Sequence, residues 1–342
     1  MAKRLNIGLL GAGRIGRVHA QNLAYHLPQA RLVGVADVVK SAAEQVAGEY
    51  GAAAYDDPRR LLEDPSVEAV VICTSTDTHA ALIEAAAQAG KHIFCEKPIA
   101  LDLAAIDRAL AAVKAAGVKL QIGFNRRFDA NFQRVRQAVS NGEIGQPHLL
   151  RITSRDPQPP PISYIKVSGG IFLDMTIHDF DMARFLMGAE VEEIFAEGAV
   201  LVDPAIGEAG DVDTALITLR FANGALGTID NSRRAVYGYD QRVEVFGSRG
   251  MIAVANETPH RATLSDATGV HGPLPEFFFI ERYAAAYIAE MRAFVESVLE
   301  DKTPPVTGED GRIPVVMGYA AWKSLRERRP VALSEITPNI TE

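Results

Sequence analysis

The chain has 342 residues, of which 48% are hydrophobic and 23% charged, with a formal net charge of −8 at pH 7. This composition excludes a disordered or fibrous protein, and the length predicts about two domains. The negative charge argues against a nucleic-acid-binding protein with a broad basic face.

Cysteine usage and hydropathy exclude further classes. Cys73 and Cys95 are the only two cysteines and form no CxxC pair, which argues against a disulfide framework or the usual zinc spacings. The apolar stretch Leu5–Leu10 is short for a signal peptide, and no apolar run approaches the ~18–20 residues of a membrane helix. We therefore expect a cytoplasmic protein that binds neither nucleic acid nor membranes and needs no metal.

Residues 1–123 alternate short apolar runs with helical patterns. The runs predict strands at 5–10, 31–36, 68–73, 92–95 and 118–122, and the patterns between them predict helices over 14–27, 41–50, 78–88 and 103–116. Apolar strands separated by helices of this length are typical of a parallel sheet covered by helices on both faces. This part is predicted to be a doubly wound α/β domain that binds a dinucleotide.

Residues 124–342 have a different pattern, typical of an α+β domain with a large, mostly antiparallel sheet. Strand Thr214–Phe221 alternates apolar and polar residues, and Asn223-Gly224 after it predicts a hairpin. Other predicted elements are a helix over 131–140, strands at 149–153, 225–230, 242–246, 251–255 and 262–265, and a helix over 281–299. The closing helices are expected to pack back towards the first domain.

A glycine motif follows the first predicted strand and opens a helix. It consists of Gly11, Ala12, Gly13, Arg14, Ile15 and Gly16. In this context Gly11 allows a tight turn, Gly13 lets the backbone approach a pyrophosphate, and Gly16 lets helix and strand pack closely. The helix N-terminus offers amide hydrogens to the phosphates. The alternative is a plain strand–helix turn without a ligand.

Asp37 follows the second strand, 21 positions after Gly16. A carboxylate there can accept hydrogen bonds from an adenosine ribose and would repel a 2′-phosphate. The sequence therefore favours NAD over NADP, although Lys40 is near.

Lys97, in Glu96-Lys97-Pro98, comes at the carboxyl end of a predicted strand, where open α/β sheets bind ligands. A cation there could stabilise an alkoxide or pass on a proton. The alternative is a surface lysine paired with Glu96.

Asp174, His178 and Asp181 lie four and three residues apart on a predicted helix. They should form a polar strip beside the apolar positions Leu173, Ile177, Phe180 and Met187. A carboxylate can hold such a histidine and make it more basic, as removal of a hydroxyl proton requires. The alternative is a solvated acidic face with a structural histidine.

Taken together, the glycine motif, Glu96-Lys97-Pro98 and the Asp174/His178 pair resemble the Gfo/Idh/MocA oxidoreductases over nearly the whole chain. The stretches 154–161, 169–185 and 230–248 are similar to family members that oxidise inositol at carbon 2. The resemblance implies a Rossmann domain followed by a domain with a mostly antiparallel sheet, often assembled as a homotetramer through that sheet. It also implies Lys97, Asp174 and His178 as catalytic group, with the histidine taking the alcohol proton.

Other positions match the family's cofactor and substrate sites. The resemblance implies that Thr74, Ser75, Thr76 and His79 lie in the loop under the cofactor, where Ser75 replaces the proline of many relatives, and that Glu96, Lys97 and Asn125 also bind cofactor. It implies substrate contacts from Arg127, Arg155, Asp156 and Tyr237, beside Lys97, Asp174 and His178. Arg155, Asp156 and Tyr237 could equally be surface residues of the sheet.

The expected function is NAD-dependent oxidation of myo-inositol to the 2-keto product by hydride transfer to nicotinamide. The same chemistry on another cyclitol or sugar, such as scyllo- or chiro-inositol or an aldose, is an alternative because epimers differ only in hydroxyl direction. A non-catalytic NAD(H) sensor is a third reading, which would leave Lys97, Asp174 and His178 without a role.

Overall fold

The computed structural model describes residues 4–337. Within them the chain forms two compact units, the first comprising 4–128, 285–315 and 337 and the second 129–284 and 316–336. Within residues 4–337, none of the helices combines the length and the hydrophobicity that crossing a bilayer demands.

The first unit begins with alternating strands and helices. In chain order these are β1 (Leu5–Leu10), α1 (Arg14–Tyr25), β2 (Ala30–Ala36), α2 (Lys40–Tyr50), β3 (Ala53–Tyr55), α3 (Pro58–Glu63), β4 (Ala69–Ile72), α4 (Thr76–Gln88), β5 (His92–Glu96), α5 (Leu103–Ala116) and β6 (Leu120–Gly123), followed by a 3₁₀ turn over Asn125–Phe128. The six strands form one parallel sheet in the order β3-β2-β1-β4-β5-β6. This is the predicted doubly wound sheet, whose strand order reverses between β1 and β4.

Burial explains why the strands of this sheet read as continuous apolar runs. All four residues of β4 are fully buried, as are Ile7 and Leu9 of β1. Strand β3 was not predicted, because it has only three residues, two of them exposed alanines, and alanine is depleted in strands.

The second unit is built on a larger sheet. Its first elements are α6 (Ala130–Ser140), β7 (Pro147–Arg155), α7 (Ile162–Ile165), α8 (Gly170–Asp174), α9 (Ile177–Met187), β8 (Val191–Ala199), α10 (Pro204–Glu208), β9 (Thr214–Phe221), β10 (Leu226–Ser232), β11 (Asp240–Gly247), β12 (Gly250–Val254), β13 (Leu264–Asp266), β14 (Gly269–His271) and α11 (Phe279–Arg282). The chain closes with α12 (Ala284–Leu299), α13 (Gly308–Glu327), β15 (Val331–Ala332) and a 3₁₀ turn over Leu333–Glu335. Helix α12 belongs almost wholly to the first unit, and α13 divides between the two.

Seven strands form this sheet in the order β12-β11-β7-β10-β9-β8-β15. Every neighbouring pair is antiparallel except β7 with β10, which is parallel. The mostly antiparallel sheet is therefore confirmed. The Asn223-Gly224 turn joins β9 to β10 as predicted, with Gly224 at φ +84° and the Phe221 N–H donating to the Ala225 carbonyl at 3.0 Å.

The two faces of the larger sheet differ. The odd-numbered residues of β9 are buried and its even-numbered neighbours exposed or half-buried, and helix α9 packs against β7 on the buried side. Large apolar side chains are exposed on the opposite face, namely Leu149, Leu216, Leu226, Phe246 and Met251. Exposed apolar side chains on one face of a sheet indicate a surface that can contact another protein chain.

Two elements near the end of the chain are present but differ in detail from the prediction. The predicted helix over 281–299 is divided at Tyr283, between α11 and α12. There Arg282 pairs with Asp129 at 2.7 Å and lies over the Tyr283 ring, so a tertiary contact interrupts the helical pattern. The predicted strand at 262–265 is β13, which pairs only with β14 in a separate two-stranded sheet.

Candidate active site

The glycine motif forms the turn between β1 and α1. Gly11 has φ +97°, and a β carbon on it would lie 2.6 Å from the Cys73 carbonyl carbon. A β carbon on Gly16 would lie 2.0 Å from the Gly11 oxygen, whereas one on Gly13 would meet no atom within 4 Å. Packing within the protein therefore requires Gly11 and Gly16, as predicted. Gly13 instead leaves open space beside the first amides of α1, and its predicted approach to a pyrophosphate stays a prediction.

Asp37 lies at this glycine turn. Its Oδ2 accepts a hydrogen bond from the Ala12 N–H at 2.7 Å, and its Oδ1 accepts from the Val39 N–H at 2.8 Å. Each carboxylate oxygen has a second acceptor site. Asp37 can therefore hold the turn and still accept from ribose hydroxyls.

The loop between β4 and α4 contains Thr74, Ser75 and Thr76. Ser75 precedes the helix with φ −69° and ψ 146°, a φ that proline also adopts. The serine at this position therefore keeps a backbone conformation that the proline of many relatives would allow.

His79 connects this loop to the segment after β5. The imidazole is buried, with Nε2 3.0 Å from the Thr74 carbonyl oxygen and Nδ1 2.8 Å from the Pro98 carbonyl oxygen. A neutral imidazole donates to only one of these oxygens at a time. The structure thus gives His79 contacts that position the two loops, while its predicted contact with cofactor stays a prediction.

Lys97 follows the last residue of β5, and its peptide bond to Pro98 is cis. The preceding Glu96 has its Oε1 2.7 Å from Nε2 of His19, a buried residue of α1. The position of Lys97 at the carboxyl end of a central parallel strand is as predicted.

Two more predicted residues lie in the 3₁₀ turn after β6. Asn125 is buried, and its Nδ2 finds no hydrogen-bond partner among the described residues. Such an unpaired buried donor is costly unless a ligand accepts from it, which fits the predicted role of Asn125 in holding cofactor.

Arg127 donates from Nη2 to Asp310 Oδ1 at 2.9 Å. Burial would raise the pKa of Asp310, but the Arg127 charge and the Thr307 donors more than offset it and lower that pKa. Arg127 thus makes an ion pair within its own unit, and its predicted substrate contact stays a prediction.

In the second unit, Asp174 is held from two sides. Its Oδ1 accepts from the Tyr164 hydroxyl at 2.9 Å and its Oδ2 from Arg233 Nη1 at 3.0 Å. Arg233 is 1% exposed and also lies 3.5 Å from Asp211. Burial would lower the pKa of Arg233, but Asp174 and Asp211 more than offset it and raise that pKa. The Asp174 carboxylate is therefore fixed by a buried cation.

The single helix expected to bear Asp174, His178 and Asp181 is interrupted, which corrects the prediction of one continuous polar strip. Helix α8 ends at Asp174 and α9 begins at Ile177. Between them the Thr176 N–H donates to the Ile171 carbonyl at 2.9 Å, and the buried Thr176 hydroxyl donates to Asn231 at 2.6 Å.

The apolar half of that prediction is confirmed, because Leu173, Ile177, Phe180 and Met187 are all buried. Asp181 is fully buried and so does not belong to a solvated face. His178 is half-buried near the start of α9.

Arg155 and Tyr237 lie together, but in a network of their own. Arg155 Nη1 donates to the Tyr237 hydroxyl at 3.1 Å, and Arg155 Nε donates to Asp230 at 2.7 Å. The electrostatic influence of Asp156 on Arg233 places it with the Asp174 group. Arg155 and Tyr237 are thus brought together, and the predicted substrate contacts of Arg155, Asp156 and Tyr237 stay predictions.

Two family models match the chain. A model described as oxidoreductase family, NAD-binding Rossmann fold, matches residues 5–124, and a Gfo/Idh/MocA C-terminal domain model matches residues 132–253. The chain belongs to the Gfo/Idh/MocA family. It is therefore an oxidoreductase, its first unit is an NAD-binding Rossmann domain, and its cofactor is NAD.

Relatives within the Gfo/Idh/MocA family match over nearly the full length. Myo-inositol 2-dehydrogenase of Thermotoga maritima is 55% identical over 97% of this chain and 99% of its own. A crystal structure of a probable dehydrogenase from Thermotoga maritima superposes with a TM-score of 0.96, at 55% identity over 97% of this chain and 100% of that one. Scyllo-inositol dehydrogenase from Lactobacillus casei, solved with NAD(H) and scyllo-inositol, has a TM-score of 0.91 at 32% identity over 97% of this chain and 100% of that one.

The sequence did not predict several residues that contact Asp174 and Glu96. Tyr164, Arg233 and Asp211 around Asp174, and His19 and Glu290 near Glu96, were not singled out. The sequence offers no signal for Arg233, because the adjacent Arg234 also follows β10 and is exposed. For Glu290 the signal was an acidic residue inside an otherwise apolar helix stripe.

Proposed function

We propose that the protein is an NAD-dependent dehydrogenase that oxidises a ring hydroxyl of myo-inositol to the 2-keto product. The observation that supports this best is the Asp174 carboxylate, four residues before His178 in the chain, which is held by Tyr164 and by the buried Arg233. Burying Arg233 with its acidic partners requires the removal of water from all of these charges, which costs free energy. A non-catalytic NAD(H) sensor would have no use for a carboxylate fixed in this way. The name of the Thermotoga maritima relative supports the choice of substrate.

In this proposal each residue has a separate part. His178 takes the proton of the reacting hydroxyl as general base, a contribution of about 10²–10⁴ in rate. Asp174 orients the imidazole, and Lys97 donates a hydrogen bond to the oxygen on which negative charge develops. Bound NAD supplies a nicotinamide ring that accepts the hydride from the carbinol carbon. The hydroxyl proton leaves through His178, so atoms and charge balance.

Cofactor binding in this proposal uses residues of the first unit. The open space at Gly13 and the amides of α1 hold the pyrophosphate, and Asp37 accepts from the adenosine ribose. The unpaired Asn125 Nδ2 donates to the nicotinamide end. Thr74, Ser75 and Thr76 line the same side of the site.

Substrate choice is tested with a panel of myo-, scyllo- and chiro-inositol and an aldose, each with NAD and with NADP. We expect the highest kcat/KM with myo-inositol and NAD, measured by the absorbance of the reduced cofactor. A higher value with scyllo-inositol would reassign the stereoisomer, a reading that the Lactobacillus casei relative favours. No turnover of any polyol despite tight NAD binding would favour the sensor instead.

The general base is tested with His178→Ala. We expect turnover to fall by about 10²–10⁴ while NAD binding, measured by fluorescence titration, stays unchanged. His148→Ala is the matched control, since His148 is an exposed residue of β7. Retained turnover in His178→Ala would reject this role.

We also propose that the protein works in the cytoplasm as a homotetramer. Both cysteines are free thiols, the state that a reducing compartment maintains. The apolar side chains on the open face of the larger sheet, such as Leu216 and Leu226, give subunits a surface to bury. Light scattering of the wild type should give four chains, and Leu216→Lys with Leu226→Lys should give fewer. A monomeric wild type would refute the tetramer.

A further inference from the structure

A buried acidic residue of α12 lies close to Glu96. Glu290 is fully buried, and among residues 4–337 no group donates a hydrogen bond to either of its carboxylate oxygens. One ligand atom from each of Glu290, Glu96 and His19 lies within 4.8 Å of the other two. All three belong to the first unit, and Gln121 of β6 donates from Nε2 to the Glu290 backbone carbonyl at 2.8 Å.

Ionising both Glu290 and the partly exposed Glu96 at this distance is costly. An isolated carboxylate without hydrogen bonds is costly to bury, and a second negative charge nearby raises the cost. Glu96 already has His19 as its partner at 2.7 Å and keeps part of its side chain exposed. Glu290 has neither advantage, and burial together with Glu96 holds the pKa of Glu290 well above its usual value of 4.5.

The two buried thiols near Glu290 and Glu96 supply no positive charge. Cys73 follows β4 and Cys95 lies in β5, and burial raises the pKa of both thiols, with Glu96 adding to the effect. They therefore stay neutral. From α12 itself Tyr287 contributes an aromatic edge to His19, with ring centroids 5.8 Å apart.

We propose that Glu290 is a neutral carboxylic acid in the folded enzyme, and that it is a positioning residue for the Glu96–Lys97–Pro98 segment. A neutral carboxyl group can donate a hydrogen bond, whereas a carboxylate can only accept. In this proposal the protonated Glu290 carboxyl group donates towards the Glu96 carboxylate, one oxygen of which lies within 4.8 Å of a Glu290 oxygen, and His19 holds the same carboxylate at 2.7 Å. The link to Lys97 rests on the function proposed above, but the protonation of Glu290 does not.

The protonation is tested by infrared spectroscopy on the full-length protein. We expect a carbonyl band of a protonated carboxyl group at neutral pH, shifted by ¹³C-glutamate labelling and absent in Glu290→Gln. The control Glu296→Gln, on the same helix, should keep the band. Absence of the band in the wild type, or its persistence in Glu290→Gln, would overturn the proposal.

Unfolding by urea gives an independent test. Above about pH 5 the unfolded chain ionises Glu290, whereas the folded chain does so only when the pH reaches its raised pKa. Between these two pKa values folding takes up one proton. The unfolding constant of the wild type should therefore rise about tenfold per pH unit relative to that of Glu290→Gln. Parallel pH profiles for the wild type and Glu290→Gln would overturn the proposal. The proposal would also be overturned if the wild type contained one divalent cation per chain that EDTA removes.

The positioning role has its own measurement. Glu290→Leu keeps much of the volume but removes both oxygen atoms, so it should lower kcat by about tenfold, the effect of one lost hydrogen bond. Glu290→Gln, which can still donate, should recover most of that loss. Equal kcat values for the two variants would refute the positioning role. If no polyol is turned over at all, the infrared and urea results still decide the protonation.

Discussion

The guanidinium of Arg233 and the carboxylate of Asp174 form a buried pair, with Nη1 3.0 Å from Oδ2, although 59 positions separate them in the chain. Arg233 follows β10 and Asp174 ends α8. The second carboxylate near the guanidinium belongs to Asp211, at 3.5 Å. A single arginine thus balances two acidic groups, so its removal should affect stability and activity together.

We expect Arg233→Met to lower the free energy of unfolding by about 3–5 kcal/mol, because Asp174 and Asp211 would lose their buried counter-charge. It should also lower kcat, since Asp174 would no longer be fixed. Arg234→Met is the matched control, because Arg234 is exposed. Urea unfolding and steady-state kinetics check both effects. An Arg233→Met protein as stable as the wild type would contradict the pairing.

This pair also illustrates what the sequence could and could not predict. The glycine turn and Asp37 were predictable because their function depends on local spacing, with Gly11 to Gly16 in one turn and Asp37 one strand later. Arg233 and Tyr164 were missed because no periodicity links them to Asp174. The break between α8 and α9 was missed for the same reason, since the buried Thr176 hydroxyl bonds to Asn231, 55 positions away.

The three glycines of the turn should respond differently to alanine. Gly16→Ala would place a β carbon 2.0 Å from the Gly11 oxygen, so we expect a large loss of stability and of NAD binding. Gly13→Ala meets no protein atom within 4 Å, and its φ of −71° suits alanine. It should therefore keep the stability of the wild type but bind NAD at least about tenfold more weakly, because the methyl group occupies the pyrophosphate space.

Thermal unfolding and a fluorescence titration with NAD separate these outcomes. Gly48→Ala, on α2, is the control, since its β carbon also meets nothing within 4 Å. Because Gly48 lies in the interior of a helix, Gly48→Ala should raise the free energy of unfolding by up to about 1 kcal/mol. Unchanged NAD affinity in Gly13→Ala would show that the phosphates lie elsewhere.

Asp37 should determine the preference for NAD. Asp37→Asn keeps an acceptor for the Ala12 N–H, so the turn should stay folded. It removes the negative charge that would repel a 2′-phosphate. We expect the ratio of kcat/KM for NAD to that for NADP to fall by about tenfold or more. Glu49→Gln is the control, because it removes the same charge elsewhere and should leave this ratio unchanged. An unchanged ratio in Asp37→Asn would show that Asp37 does not determine the preference for NAD.

Asp213 offers a test of stability against pH in the second unit. Its side chain accepts from the backbone N–H groups of Leu201, Val202 and Asp203 at 2.8–3.1 Å. Burial would raise the pKa of Asp213, but these three donors and Thr214 outweigh it and lower that pKa. Because the folded-state pKa lies below the unfolded one, the stabilisation is present above the unfolded value of 3.8. It is lost as the pH falls through the folded value.

Asp213→Ala should therefore lower the free energy of unfolding at pH 7 by about 3 kcal/mol, since three buried donors lose their acceptor. Urea unfolding measured from pH 7 down to about pH 3 should show the gap to the wild type narrowing only below the unfolded pKa. Asp266→Ala is the control, because the Asp266 carboxylate is exposed and its bonds stay within the β13–β14 hairpin. A gap that stays constant across this range would mean that the charge of Asp213 contributes nothing and that only its packing is lost.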